Sequence, residues 1–220
     1  MKVFHCDHCR QLAFFENFAC GNCGRKLAFL PDRMEIGSLD SADGGLWRTT
    51  ESEAPLYRLC DTYARENVCN WAVPSHQSDA LCLSCRLTRR IPDLSQPGAR
   101  EAWYRLEAAK RRLIYTLLEL NLPIAPMTDD PVHGIALEFL ADTPGSAPPL
   151  TGHSHGVITI NLAEADDAER EKRRLALHEP YRTLLGHFRH EIGHYYWDRL
   201  IRDSPLLREY RDLFEDAQEN

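Results

Sequence analysis

The chain has 220 residues and a mass of 25.2 kDa, enough for one ordinary catalytic domain with a small appended module or for two modest domains. Hydrophobic residues make up 43% and charged residues 27%, which excludes global disorder, and the formal charge of -7 argues against whole-surface attraction to nucleic acid or anionic lipid. No apolar run approaches the roughly 20 residues of a membrane span, and the opening MKVFHCDHCR carries cysteines where a signal peptide has its apolar stretch, so a cytoplasmic protein is expected.

All eight cysteines lie within the first 85 residues. The first group is Cys6-x2-Cys9 followed by Cys20-x2-Cys23; the second is Cys60, Cys69 and the pair Cys82-x2-Cys85. A C-x2-C knuckle wraps two sulfurs and the amides that follow them around one ion, and two knuckles complete a closed tetrahedral zinc shell. Such a closed shell is structural. Disulfides would satisfy the same even count in a secreted domain, and iron would also accept four thiolates; paired knuckles without a signal peptide favour zinc. His5 and His8 flank the first knuckle and are read as exposed, because four sulfurs already suffice. Residues 1–95 hold eleven Lys or Arg against twelve Asp or Glu, and each tetrathiolate site adds further negative charge. Apart from Arg86, Arg89 and Arg90 the module is acidic, so nucleic acid is a poor partner and stabilisation or docking of a protein partner is the better reading.

Residues 31–56 mix short apolar stretches with turn residues such as Asp43-Gly44-Gly45, as strand fragments and loops do. The segment LTRRIPDLSQPG after Cys85 reads as a linker ending near Gly98. The division is therefore 1–95, a zinc-ribbon region with two four-cysteine sites, and 96–220, a second domain. From Arg100 to Asn121 the positions Trp103, Leu106, Leu113, Ile114, Leu117 and Leu120 recur at helical spacing, and Pro123 and Pro126 forbid continuation. Val132 to Leu140 and Gly156 to Leu162 alternate like half-buried strands, with a loop of turn-formers between them. Asp166 to His178 begins acidic and ends basic, complementing a helix dipole. A further helix is predicted from Pro180 to about Arg202, with Tyr181, Leu184, Leu185, Phe188, Ile192, Tyr196 and Leu200 as its buried stripe. Ser204-Pro205 caps a last helix bearing Leu206, Leu207, Tyr210, Leu213 and Phe214. The fold class is α+β: short strands and loops first, then long helices with a small sheet.

The run His190-Glu191-Ile192-Gly193-His194 falls on the helix predicted over 180–202. Residues four apart lie about 6 Å along the axis and nearly on one face, so His190 and His194 can share one zinc. Glu191 can then take a proton from an attacking water and return it to a leaving amine. The plain alternative is a surface helix with two histidines one turn apart; Ile192 on the apolar stripe, opposite the ligand positions, argues for a core face and a site face. Asp198 either holds the outer nitrogen of His194 or is solvated, and His187 is read as a supporting or exposed residue. Tyr195 and Tyr196 could offer a hydroxyl, but aromatic packing is the reading preferred for both, with Tyr196 the buried one.

The run FRHEIGHYYWDRL at Phe188 to Leu200, with GVITINLAEAD at Gly156 to Asp166 and ARENVCNWAV with LCLSCRLTRRIPDLS around Cys69, Cys82 and Cys85, resembles the zinc-binding metallopeptidases that carry an amino-terminal zinc ribbon. The resemblance covers nearly the whole chain. It implies a zincin-like domain over 96–220, His190 and His194 as catalytic zinc ligands, Glu191 as general base, and a substrate-binding edge strand over the helix. It also implies a third ligand, a Glu, from a later helix. The chain stops 26 residues after His194, so a carboxy-terminal truncation is expected, with poor binding of the catalytic metal and slow or absent hydrolysis. Substitute ligands within the chain would be Glu209, Asp212, Glu215, Asp216, His153 or His155. The expected cofactors are two structural zinc ions and one catalytic one, and the expected substrate is a peptide or protein. The alternative function is a non-catalytic, zinc-stabilised scaffold or protein-interaction module.

Overall fold

The computed structural model describes residues 2–51, 55–143, 145–176, 178 and 182–214. The chain forms two compact units, Met1–Arg86 with Trp103–Leu122, and Leu87–Ala102 with Pro123–Asn220. The residues from Trp103 to Leu122, most of the long helix, belong to the first unit.

In the first unit, β1 (Phe4–His5) and β2 (Leu12–Ala13) make an antiparallel ribbon whose turn carries Cys6 and Cys9. The strands β3 (Lys26–Leu30), β4 (Glu35–Ser41), β5 (Trp47–Arg48), β6 (Tyr57–Leu59) and β7 (Ala72–Pro74) then form an antiparallel sheet in chain order. Helix α1 (Asp61–Glu66) starts directly after Cys60, and α2 (Leu83–Arg86) carries Cys85. From Trp103 onward, α3 (Ala99–Glu119) buries Trp103, Leu106, Leu113, Ile114 and Leu117 as the periodicity predicts. Leu120 lies past the helix end and is exposed. Tyr115 of α3 meets Phe15 at 5.4 Å and Phe29 at 5.7 Å between ring centroids, and Phe29 meets Trp71 at 4.6 Å, so aromatic rings from three parts of the chain share one core.

In the second unit a four-stranded sheet has the order β10, β11, β9, β8, with β8 (Thr88–Arg90), β9 (Ala136–Leu140), β10 (Gly152–Ser154) and β11 (Val157–Asn161). Strands β8, β9 and β11 are parallel neighbours and β10 is an antiparallel edge. Two segments read from sequence as linker and loop thus contribute strands. Neither β8 nor β10 alternates apolar and polar residues; both are recruited by backbone pairing, which periodicity does not report. The strand predicted from Val132 begins at Ala136 instead, because the Asp130 carboxylate accepts the amides of Val132 and His133 and closes a turn there.

After β11 comes a 3-10 turn at Leu162–Ala165, then α4 (Asp167–Ala176), which buries no residue. Helix α5 (Leu184–Leu200) starts at Thr183, whose hydroxyl accepts the Gly186 amide at 3.0 Å. Pro180 and Tyr181, predicted to open this helix, lie outside the described residues. The buried face of α5 is Phe188, Ile192 and Tyr195 with Glu191, a spacing of four and three that lays the helix on Phe139 of β9. Tyr195 is therefore the buried tyrosine. Tyr196 is half-buried and Leu200 exposed, because the face turns by one residue relative to the predicted stripe. Helix α6 (Leu207–Phe214) follows a turn in which the Ser204 hydroxyl accepts the Leu206 amide at 3.1 Å, and its Leu213 and Phe214 are exposed.

Candidate metal centres

The two cysteine groups each converge, with all four sulfurs of a group within 4.8 Å of one another. A tetrahedral ion with zinc–sulfur bonds of about 2.3 Å holds its sulfurs about 3.8 Å apart. The Cys6–Cys23 and Cys69–Cys82 separations are 3.8 Å and Cys9–Cys20 is 3.5 Å, so both groups fit zinc. Amides point at the sulfurs: Trp71 N–H donates to Cys69 and Cys82 N–H to Cys60. The Gln11 amide, aided by Asn22, holds the Cys9 thiol down to about 6, a thiolate at neutral pH. Cys60, Cys69, Cys82 and Cys85 are buried, whereas Cys9 and Cys23 are half-exposed. His5 and His8 are exposed and belong to neither group. Of the basic cluster, Arg86 pairs with Asp79 at 3.1 Å, and Arg89 pairs with Glu138 of β9 at 2.8 Å.

A different site lies on α5. His190 and His194 are exposed, and their Nε2 atoms stand 3.0 Å apart with the rings nearly perpendicular. Glu191 is buried between them and the core face, and desolvation pushes its carboxyl up against the opposing charges of the histidines and Arg182. A cavity of about 600 Å³ opens over these residues and is walled by β10, by His155, and by Trp197, Asp198 and Arg202. A second cavity, of about 710 Å³, shares Thr151, His190 and Glu191 with it and extends over Pro148 to Leu150 and the start of α5.

Residues 99–220 match the family described as "Putative zinc-binding metallo-peptidase", and residues 3–96 match a zinc-ribbon domain. The chain belongs to this metallopeptidase family. Uncharacterized proteins of Mycobacterium bovis and Mycobacterium tuberculosis are 44% identical to it over 218 residues, covering 98% of this chain and 59% of their own length. The chain thus spans about three fifths of the length of the curated relatives it matches. No solved structure matches it. Among the described residues no helix is long and apolar enough to cross a membrane.

In this metallopeptidase-family chain, Asp198 pairs with Arg202 at 2.5 Å and shares the cavity wall with His194. His187 lies with its Nδ1 3.5 Å from a Glu164 carboxylate oxygen. Glu164 is fully buried, and Arg173 and Arg182 approach it at 3.2 and 2.9 Å. Sequence reasoning missed this cluster, although NLAEAD placed Asn161 and Glu164, both wholly buried polar residues, beside a strand end. Of the substitute ligands, Glu215 and Asp216 lie outside the described residues. Among the described residues, no Cys, Asp, Glu or further His joins His190 and His194 in a set of three. His153 directs Nε2 at the Gly156 amide, 3.1 Å away, and burial pushes its pKa down, opposed by the charge of Asp198. His155 instead pairs with Ser154 at 3.0 Å.

Proposed function

We propose that this protein is a zinc-dependent peptidase of zincin type, with His190 and His194 holding the catalytic metal and Glu191 acting as general base. The observation that carries the reading is the 3.0 Å approach of the two Nε2 atoms at the mouth of a cavity that Glu191 also lines. Two nitrogens bound tetrahedrally at about 2.0–2.1 Å to one zinc lie about 3.3 Å apart, so the pair suits a shared ion. Zinc bound there would supply Lewis acidity toward a water and a carbonyl oxygen.

Glu191 is placed to receive the proton of the attacking water and to return it to the departing amine nitrogen. Its burial keeps the carboxylate poorly solvated and so more basic than a surface glutamate. Among the described residues, edge strand β10 has one side without a strand partner, to which an extended peptide can add as a further strand. The two cavities meeting at His190 and Glu191 leave room for side chains on both sides of the scissile bond. The two cysteine sites, each closed by four sulfurs, serve as structural zinc centres, and the ribbon module is a docking surface for a protein partner or substrate. Among the described residues the two histidines are the candidate protein ligands of the catalytic ion, where typical catalytic sites use three.

Zinc counting combined with cleavage of an unfolded protein such as casein tests the reading. With excess zinc, the chain should bind two ions that survive buffer exchange without chelator and a third that exchanges readily. His190→Ala or His194→Ala should remove only the third. Glu191→Gln should keep it and lower kcat by about 10² to 10⁴. Two ions per chain, unchanged by the histidine substitutions, would overturn the peptidase and leave the non-catalytic scaffold.

A further inference from the structure

His153 lies mid-strand in β10, directly opposite Ile158 of β11. Opposed residues of an antiparallel pair share a face, and Ile158 is completely buried, so the His153 ring turns inward to α5. There its centroid lies 6.5 Å from that of His194, with the rings parallel within 8°, and 6.3 Å from Tyr195. It lines the same cavity as His190, Glu191 and His194.

Its nitrogens are not equivalent. Gly156 N–H donates to Nε2 at 3.1 Å, so that nitrogen carries the lone pair and the proton resides on Nδ1. The donor amide is fixed by the turn that joins β10 to β11. His155 and Gly156 both have positive φ, +49° and +79°, and a Cβ on Gly156 would come 2.5 Å from the Gly134 carbonyl oxygen. With Nε2 already engaged, His153 is poorly suited to join the two metal-facing imidazoles, whose centroids are only 4.7 Å apart.

Resting on the peptidase reading above, we propose that His153 is a catalytic residue that contacts substrate: Nδ1–H donates to the scissile carbonyl oxygen and to the oxyanion it becomes. Water oxygen bonds to the carbonyl carbon, its proton passes to Glu191, and the carbonyl π pair moves onto the oxygen that His153 faces. The C–N bond then breaks, the amine takes the proton back from Glu191, and the carbonyl re-forms. His153 keeps its own proton throughout. The donor is oriented before the substrate arrives, so no reorganisation accompanies charge development.

The test pairs His153→Phe, which keeps an aromatic ring without the N–H, with His153→Gln, which restores a donor. Two probes of matched side chains are compared: a phosphinic peptide, whose tetrahedral anionic centre mimics the oxyanion, and a peptide thiol, which binds metal without one. His153→Phe should keep full zinc content, lower kcat about 10² to 10³ with KM within a few fold, and weaken the phosphinic peptide in parallel while leaving the thiol unchanged. His153→Gln should recover part of each loss. Loss of the exchangeable zinc, an unchanged kcat, or equal weakening of both probes overturns the proposal. Nitrogen-15 NMR of the imidazoles in the unliganded chain should show His153 protonated at Nδ1; protonation at Nε2 alone overturns it without any assay of activity. A wild-type chain that binds neither probe sinks the peptidase reading itself, a different outcome from a wild type that binds both and a variant that matches it.

Discussion

Glu164 is the residue whose environment reaches furthest. Burial pushes its carboxyl up, yet the hydrogen bond from Arg182 and the charges of His187, Arg182 and Arg173 outweigh that and hold it below the ordinary value of 4.5. A carboxylate whose pKa is lower folded than unfolded contributes stability above the unfolded value and loses it as pH falls through the folded one. Stability of the wild type should therefore decline below about pH 4.5, and Glu164→Gln should flatten that part of the curve, as urea midpoints from pH 3 to 7 would report. At pH 7 the same substitution leaves two guanidinium groups without their shared carboxylate, at a cost of about 3 kcal/mol. A midpoint shift independent of pH would contradict the assignment. Glu164 also lines the second cavity, so its loss should disturb the start of α5 near His190.

Among the elements, α3 carries an unusual load for a core helix. Glu107, Lys110 and Arg111 are all buried on it, and Lys110 reaches Glu107 at 2.8 Å while Trp103 donates to the same carboxylate at 3.2 Å. The helix is amphipathic in sequence, but three charged positions in its buried part are visible only once the partners are known. Lys110→Met should destabilise the protein by about 3–5 kcal/mol, because Glu107 is left in the interior without its ammonium partner, where burial already pushes its carboxyl up. Glu107→Gln with Lys110→Met should recover more than half, since both charges leave together and the Trp103 N–H keeps an acceptor; a purely additive double variant in urea unfolding would refute the pairing. The β10–β11 hairpin makes a second demand on one element. Gly156→Ala must place a Cβ 2.5 Å from the Gly134 oxygen at a φ of +79°, so a loss of about 2 kcal/mol is expected, with β10 displaced from α5. Unaltered thermal stability and unaltered hydrogen exchange of the β11 amides would show that the turn yields instead.

At the scale of the whole molecule, the two cysteine sites differ in access. Cys60, Cys69, Cys82 and Cys85 are each at most 3% exposed, whereas Cys9 and Cys23 are half-exposed. Under a strong chelator with a thiol-alkylating reagent, mass spectrometry should show Cys6, Cys9, Cys20 and Cys23 modified first. The other four should follow at the rate of unfolding, as buried groups do. One common rate for all eight would mean the two sites open together.

Sequence alone determined the two four-cysteine groups and the helix that carries the proposed histidine pair. Knuckle spacing places sulfurs within reach of one ion, and a four-residue step places two imidazoles on one helix face; both are local consequences of backbone geometry. The core positions of α3 were legible for the same reason. Tertiary structure alone decided what surrounds those groups. Strands β8 and β10 exist because partners offer free backbone groups, the exposed face of α5 is set by the sheet beneath it, and Glu164 meets Arg182 across 18 residues of chain. Pairing at a distance depends on which surfaces pack together, and residue order carries no period for that.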